Sequence, residues 1–137
     1  MKLCTTTKGD IGVLKSKCSL YEQGFITFSP DTDKLPYDLL VSKNDKFYRV
    51  QVKYRELEKN GSINIRFRSI CSNTKGARIK QIDKNAVDFY CVYCPQTDEC
   101  YFFDHKKFNK GITLKLKYEG KTNKTCNYAE DFLKPPV

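Results

Sequence analysis

The amino-acid sequence predicts an α/β or α+β domain built around one mixed β-sheet. Three observations carry this expectation: one stretch of helical apolar spacing near the start, a succession of β-rich segments divided by turn formers, and a length of 137 residues. That length suits one domain with a core of its own, so we expect a single domain over residues 1–137.

In residues 9–22 the apolar side chains Ile11, Val13, Leu14, Cys18 and Tyr21 recur at helical spacing, and Gln23-Gly24 supplies a stop. Residues 25–28 (FITF) read as a short strand, and 29–34 (SPDTDK) as a loop dense in turn formers. Residues 36–54 read as strand, turn and strand, with Lys43-Asn44-Asp45-Lys46 as the turn. After a turn at 56–61, residues 62–68 alternate strictly, with Ile63, Ile65 and Phe67 on one face and Ser62, Asn64, Arg66 and Arg68 on the other. Residues 69–83 read as irregular and basic. Two β-rich runs, 88–94 and 100–104, flank a hairpin loop at 95–99; then come a short segment 105–110, a strand 112–118, a polar loop 119–125 and a tail ending in Pro135-Pro136-Val137.

A formal charge of +9, from 25 Lys and Arg against 16 Asp and Glu, points to an anionic partner, nucleic acid before membrane surface. The basic residues do not collect on an amphipathic helix, which argues against a membrane; a basic but otherwise ordinary surface is the alternative. No stretch resembles a signal peptide or is apolar enough to span a bilayer, so a soluble, intracellular, cytoplasmic protein is expected. The seven cysteines, an odd number, suggest reduced thiols rather than a disulfide framework. Cys91 and Cys94 have zinc-ligand spacing, with Cys100 and His105 following. In a strand, however, Cys91 and Cys94 face opposite ways, so no structural zinc is expected.

The hairpin of residues 36–54 carries the chemistry. Gln51 and Lys53 share one strand face, and Asp38 on the partner strand can lie opposite or diagonal to Gln51. A carboxylate and an amide oxygen are hard ligands suited to Mg2+, and a nearby ammonium can hold water or stabilise phosphoryl charge. Such a site would cut a phosphodiester; polar residues that merely face solvent are the other reading.

Asp38, then Gln51-Val52-Lys53, preceded by Lys8-Gly9-Asp10-Ile11-Gly12 at the start of a helix, resembles the PD-(D/E)XK nuclease superfamily, and within it the small cyanobacterial group I intron-encoded homing endonucleases. The resemblance implies an α/β, restriction-endonuclease-like core, with a central mixed β-sheet flanked by helices, and a site-specific endonuclease on double-stranded DNA, from a bacterial or phage-like genetic element. It implies Mg2+ as cofactor, with Ca2+ a non-catalytic substitute. Asp38 would bind metal, Gln51 would stand where most relatives have an acidic ligand, the Val52 carbonyl would complete the metal shell, and Lys53 would be the catalytic lysine. Relatives usually place a glutamate on the first helix, at the position of Val13 here. Asp10 would substitute for it if the helix is rotated; otherwise the valine marks a weakened or disabled nuclease.

Ser62, Asn64, Arg66 and Arg68 would form a DNA-reading ribbon or, alternatively, a solvated edge strand. Lys75, Arg78, Lys80, Lys121 and Lys124 would clamp phosphates. The long sites of such enzymes imply a homo-oligomer, dimer or tetramer. The aromatic hairpin of residues 88–103 is a candidate for that interface, or for core. Two rivals stand beside the homing-endonuclease reading: a Holliday junction resolvase, and a catalytically inactive DNA-binding module.

Overall fold

The computed structural model describes residues 2–73, 76–81, 83–116 and 126–137, with backbone alone for 68–73 and 76–81. Helix α1 (Thr5–Glu22) starts one turn before the expected residue 9. Its opening threonines are weak helix formers, so the periodic signal begins only at Ile11. The helix ends where expected, and for a definite reason. Gly24 takes a left-handed φ of 89°, Gly24 N–H donates to Tyr21 O and Phe25 N–H to Leu20 O. This paired closure uses up the last carbonyls and turns the chain back beneath the helix.

The strands are β1 (Ile26–Phe28), β2 (Leu39–Lys43), β3 (Lys46–Tyr54), β4 (Ser62–Arg66), β5 (Arg68–Asn73), β6 (Gly76–Gln81), β7 (Phe89–Cys94), β8 (Glu99–Phe103), β9 (Gly111–Lys115) and β10 (Asn127–Tyr128). The central sheet has the order β1-β2-β3-β7-β8 and is mixed: β3 and β7 run parallel, the other neighbours antiparallel. Asn44 and Asp45, with φ of 54° and 62°, make the two-residue turn that joins β2 to β3 and fixes their register. The register of β3 on β7 is set at its entrance. There Arg49 donates from its backbone N–H, Nε and Nη2 to the Asp88 carboxylate, while Asp88 N–H returns a bond to Arg49 O.

Helix α1 covers one face of this sheet and the sheet β10-β9-β4 lies against the other, so helix and second sheet together do the flanking that helices alone were expected to do. On the helix side Leu20, Phe25, Val50, Val52, Phe89 and Cys91 are buried together. On the far side Ile63, Ile65, Phe67, Tyr90, Phe103 and Leu114 form a second core. Cys91 and Cys94 accordingly sit in different cores. All of β7 and Cys100, Tyr101, Phe102 and Phe103 are buried, which makes the aromatic hairpin core and removes it as an interface.

Two segments differ from expectation. Residues 69–83 are mostly ordered as the antiparallel pair β5–β6, which polar and basic side chains without clear alternation concealed. The strand 62–68 breaks at Phe67, whose N–H donates to Lys110 O, so Arg68 begins a new strand. Gly111 pairs with Arg66, and a Cβ there would collide with Ile65 O. Gly111→Ala is therefore expected to cost about 1–3 kcal/mol, read as a fall in the thermal midpoint.

Among the described residues, no helix is long and apolar enough to cross a membrane.

Candidate active site

Asp38 stands immediately before β2, at the point where the β2–β3 ladder opens. Its N–H still donates to Val50 O, 2.9 Å away. One carboxylate oxygen, Oδ2, accepts from Gln51 Nε2 at 3.0 Å and from the Val52 backbone N–H at 2.8 Å. That geometry orients both partners. Because Gln51 must present its NH2 to a carboxylate, its Oε1 is left as the outward acceptor. Val52 N–H points toward Asp38, and in a strand a residue's C=O points to the same side as its N–H. The Val52 carbonyl therefore faces Asp38, past Leu39, the last β2 residue in the ladder. Asp38 Oδ1 accepts no hydrogen bond from the described residues.

Lys53 lies two residues past Gln51 on the same strand face and is half-buried. Burial, first, and the charge of neighbouring Arg55, second, push its ammonium down to about 8, against the opposing pull of Asp38. Asp38 responds to the same enclosure. Although the residue is solvent-exposed, protein packed around its carboxyl raises it above the ordinary carboxylate value, with Val52 N–H and Lys53 pulling the other way.

Three oxygens, Asp38 Oδ1, Gln51 Oε1 and the Val52 carbonyl, thus come from one strand end and the residue opposite it. The set is hard, small in charge and incomplete, which fits a divalent cation that keeps waters and shares substrate phosphate. Among the described residues no three His, Cys, Asp or Glu side chains gather into a metal-binding group.

Beside Lys53 a cleft of about 610 Å³ opens between the first turns of α1 and the end of β3, lined by Thr5, Lys8, Lys53, Arg55, Glu56 and Asn64 among others. Asp38 and Gln51 are not among its lining residues. Lys8 and Arg55 were not legible as site residues, since only the packing of the helix against the strand end brings them to Lys53. Tyr90 was missed as well. It is the registered neighbour of Gln51 across the β3–β7 ladder, is fully buried, and its hydroxyl has no hydrogen-bond partner among the described residues. Burial, with Asp38's charge adding to it, pushes this hydroxyl up to about 12. A buried hydroxyl without a partner costs stability, so Tyr90→Phe is expected to hold or raise the thermal midpoint.

Val13 presents no oxygen. It is half-buried and packs against the helix-side core, while Asp10, its considered substitute, is exposed. Val13→Glu should therefore cost about 1–2 kcal/mol of stability, measurable by thermal unfolding, because a carboxylate would enter apolar packing.

The expected reading face is only partly open. Asn64 is half-buried and Arg66 exposed, but Ser62 is 5 % exposed and its hydroxyl donates to Asn60 Oδ1 at 2.6 Å, which withdraws it from that face. On the neighbouring strand β9, Thr113 lies opposite Asn64 and donates to its Oδ1 at 3.4 Å; Lys115 lies opposite Ser62 and is exposed. The side chains of Arg68, Arg78 and Lys80, and Lys75, Lys121 and Lys124 entirely, lie outside the described residues.

A sequence model of a family described as PD-(D/E)XK endonuclease matches residues 3–135. Among solved structures, the chain is similar to the bacterial homing endonuclease I-Ssp6803I, with a TM-score of 0.74 and 20% identity, over 95% of this chain and 88% of that one. No curated protein matches the chain in sequence.

Proposed function

The chain belongs to the PD-(D/E)XK endonuclease family, and on that footing we propose that it is a Mg2+-dependent, site-specific endonuclease of the homing type, cutting phosphodiester bonds in double-stranded DNA. The observation that carries the reading is the arrangement at Asp38, whose Oδ2 takes bonds from Gln51 Nε2 and Val52 N–H and whose Oδ1 accepts none from the described residues, with half-buried Lys53 on the same strand face as Gln51. The similarity to a homing endonuclease over most of both chains supports the homing type.

Asp38, Gln51 and the Val52 carbonyl are the groups that would hold the cation. A divalent ion bound there supplies a Lewis acid for the phosphoryl oxygen and acidifies a bound water. Gln51 keeps the site assembled without a second negative charge, since its amide donates to Asp38 where a glutamate would repel it. Lys53, with its proton held weakly, can take a proton from the attacking water or, charged, steady the phosphoryl oxygens. Asn64 and Arg66 face the DNA groove from β4, and several copies acting together would cover a long site.

The test is incubation of a supercoiled plasmid carrying an intronless host gene, and separately of a four-way DNA junction, with the chain in Mg2+. Linear product from one discrete plasmid site is expected. Cleavage confined to the junction would favour the resolvase. Binding without cleavage would favour an inactive DNA-binding module, the reading for which Val13 speaks.

A further inference from the structure

The wall of the cleft beside Lys53 contains a second cation that the family motif leaves without a role. Arg55 continues the β3–β7 ladder past the end of the strand, its N–H donating to Tyr93 O at 2.9 Å. The ladder bond holds its backbone in place. Its guanidinium is half-buried, and of its five side-chain donors one is placed among the described residues, Nη1 on Tyr54 O at 2.9 Å. Arg55 forms no ion pair among the described residues. Of the two acids in the same cleft, Glu56 is taken by Lys8 at 3.4 Å, and Glu58 is exposed.

A folded chain that only needed stability would not keep two cations, Lys53 and Arg55, side by side in a partly desolvated wall with no acid on the second among the described residues. Their like charges repel, and the half-buried setting leaves less water to screen them. The arrangement becomes favourable when an anion enters, and a planar guanidinium is matched to phosphate geometry. The opposite wall offers the Thr5 hydroxyl beside the Lys8–Glu56 pair, and the cleft runs on to Asn64 of β4. One channel therefore joins the reacting site to the strand proposed to face the DNA groove.

From this juxtaposition we infer that Arg55 is a DNA-binding residue of the active cleft: it holds a non-bridging oxygen pair of the backbone phosphate that flanks the scissile one, and so aligns the strand on Lys53. The inference rests on the nuclease reading and adds a residue to it.

The test is equilibrium binding of the full chain to a short random-sequence DNA duplex in Ca2+, as a function of KCl, for the parent, Arg55→Gln and Arg55→Lys. Arg55→Gln is expected to bind roughly three- to tenfold more weakly at low salt and to lower the slope of log K against log salt by about 0.9, the loss of one phosphate contact. Arg55→Lys should keep the slope, which separates loss of charge from damage to the fold. A parent that binds DNA while Arg55→Gln has the same slope overturns the role of Arg55 alone. A parent that binds no duplex at all overturns both this role and the nuclease reading.

Discussion

Replacing Asp38 by asparagine is expected to abolish DNA cleavage, by about three orders of magnitude or more, while leaving a folded chain. The side chain keeps an oxygen for the Val52 N–H, 2.8 Å from Oδ2 in the parent, so the mouth of the hairpin stays closed. What disappears is the one negative charge among the three candidate cation ligands. A loss of about 4 kcal/mol of transition-state stabilisation corresponds to that thousandfold fall and is the scale on which a bound divalent ion acts. Calorimetric titration with Mg2+ and a plasmid cleavage assay check the two halves together, because the variant should lose the heat of binding along with the activity. Asp38→Ala should do the same and also destabilise, since it strands the Val52 N–H and the Gln51 amide.

Lys53→Met should lose cleavage about 10²- to 10³-fold, and yet be more stable than the parent at neutral pH. The sign follows from the ammonium being pushed down to about 8 from an ordinary 10.5. At neutral pH the folded chain must carry this cation half-buried next to Arg55. From about pH 8 upward the folded form sheds the proton while the unfolded form still holds it, so unfolding becomes harder as pH rises. Methionine removes that dependence. The variant's advantage, on the order of 1 kcal/mol at pH 7 because solvent screens a half-exposed group, should therefore shrink toward pH 9.5. Above about pH 10 the tyrosines act with the opposite sign, because Tyr90 and Tyr93 are both pushed up to about 12 and their unfolded forms ionise first. Denaturant unfolding of parent and variant across that range measures the trend.

The hairpin at the centre of these predictions was legible in the sequence because its physics is local. Asn44-Asp45 takes the two-residue turn, the turn fixes register, and register carries Asp38 to Gln51 thirteen residues away. The cleft was not legible. Lys8, Arg55 and Asn64 belong to three elements separated along the chain, and only the docking of α1 on β3 brings them together. Ser62 shows a different limit. Alternation placed it outward with Asn64, but its partner Asn60 lies in the preceding turn and folds the hydroxyl inward, which strand periodicity does not encode. Tyr90 reads in the sequence as one more aromatic of a β-rich run; that its hydroxyl has no partner among the described residues emerges only from the packing around it.

The most direct measurement of the central claim is cleavage of duplex DNA by the parent chain and by Lys53→Met, each in Mg2+, in Ca2+ and in EDTA, with the product ends mapped. Cutting at a discrete position by the parent in Mg2+ alone, with DNA binding but no cutting by Lys53→Met, is the predicted result. Equal cutting by Lys53→Met, or cutting by the parent that persists in EDTA, would contradict the assignment of a metal-dependent site to Asp38, Gln51 and Lys53.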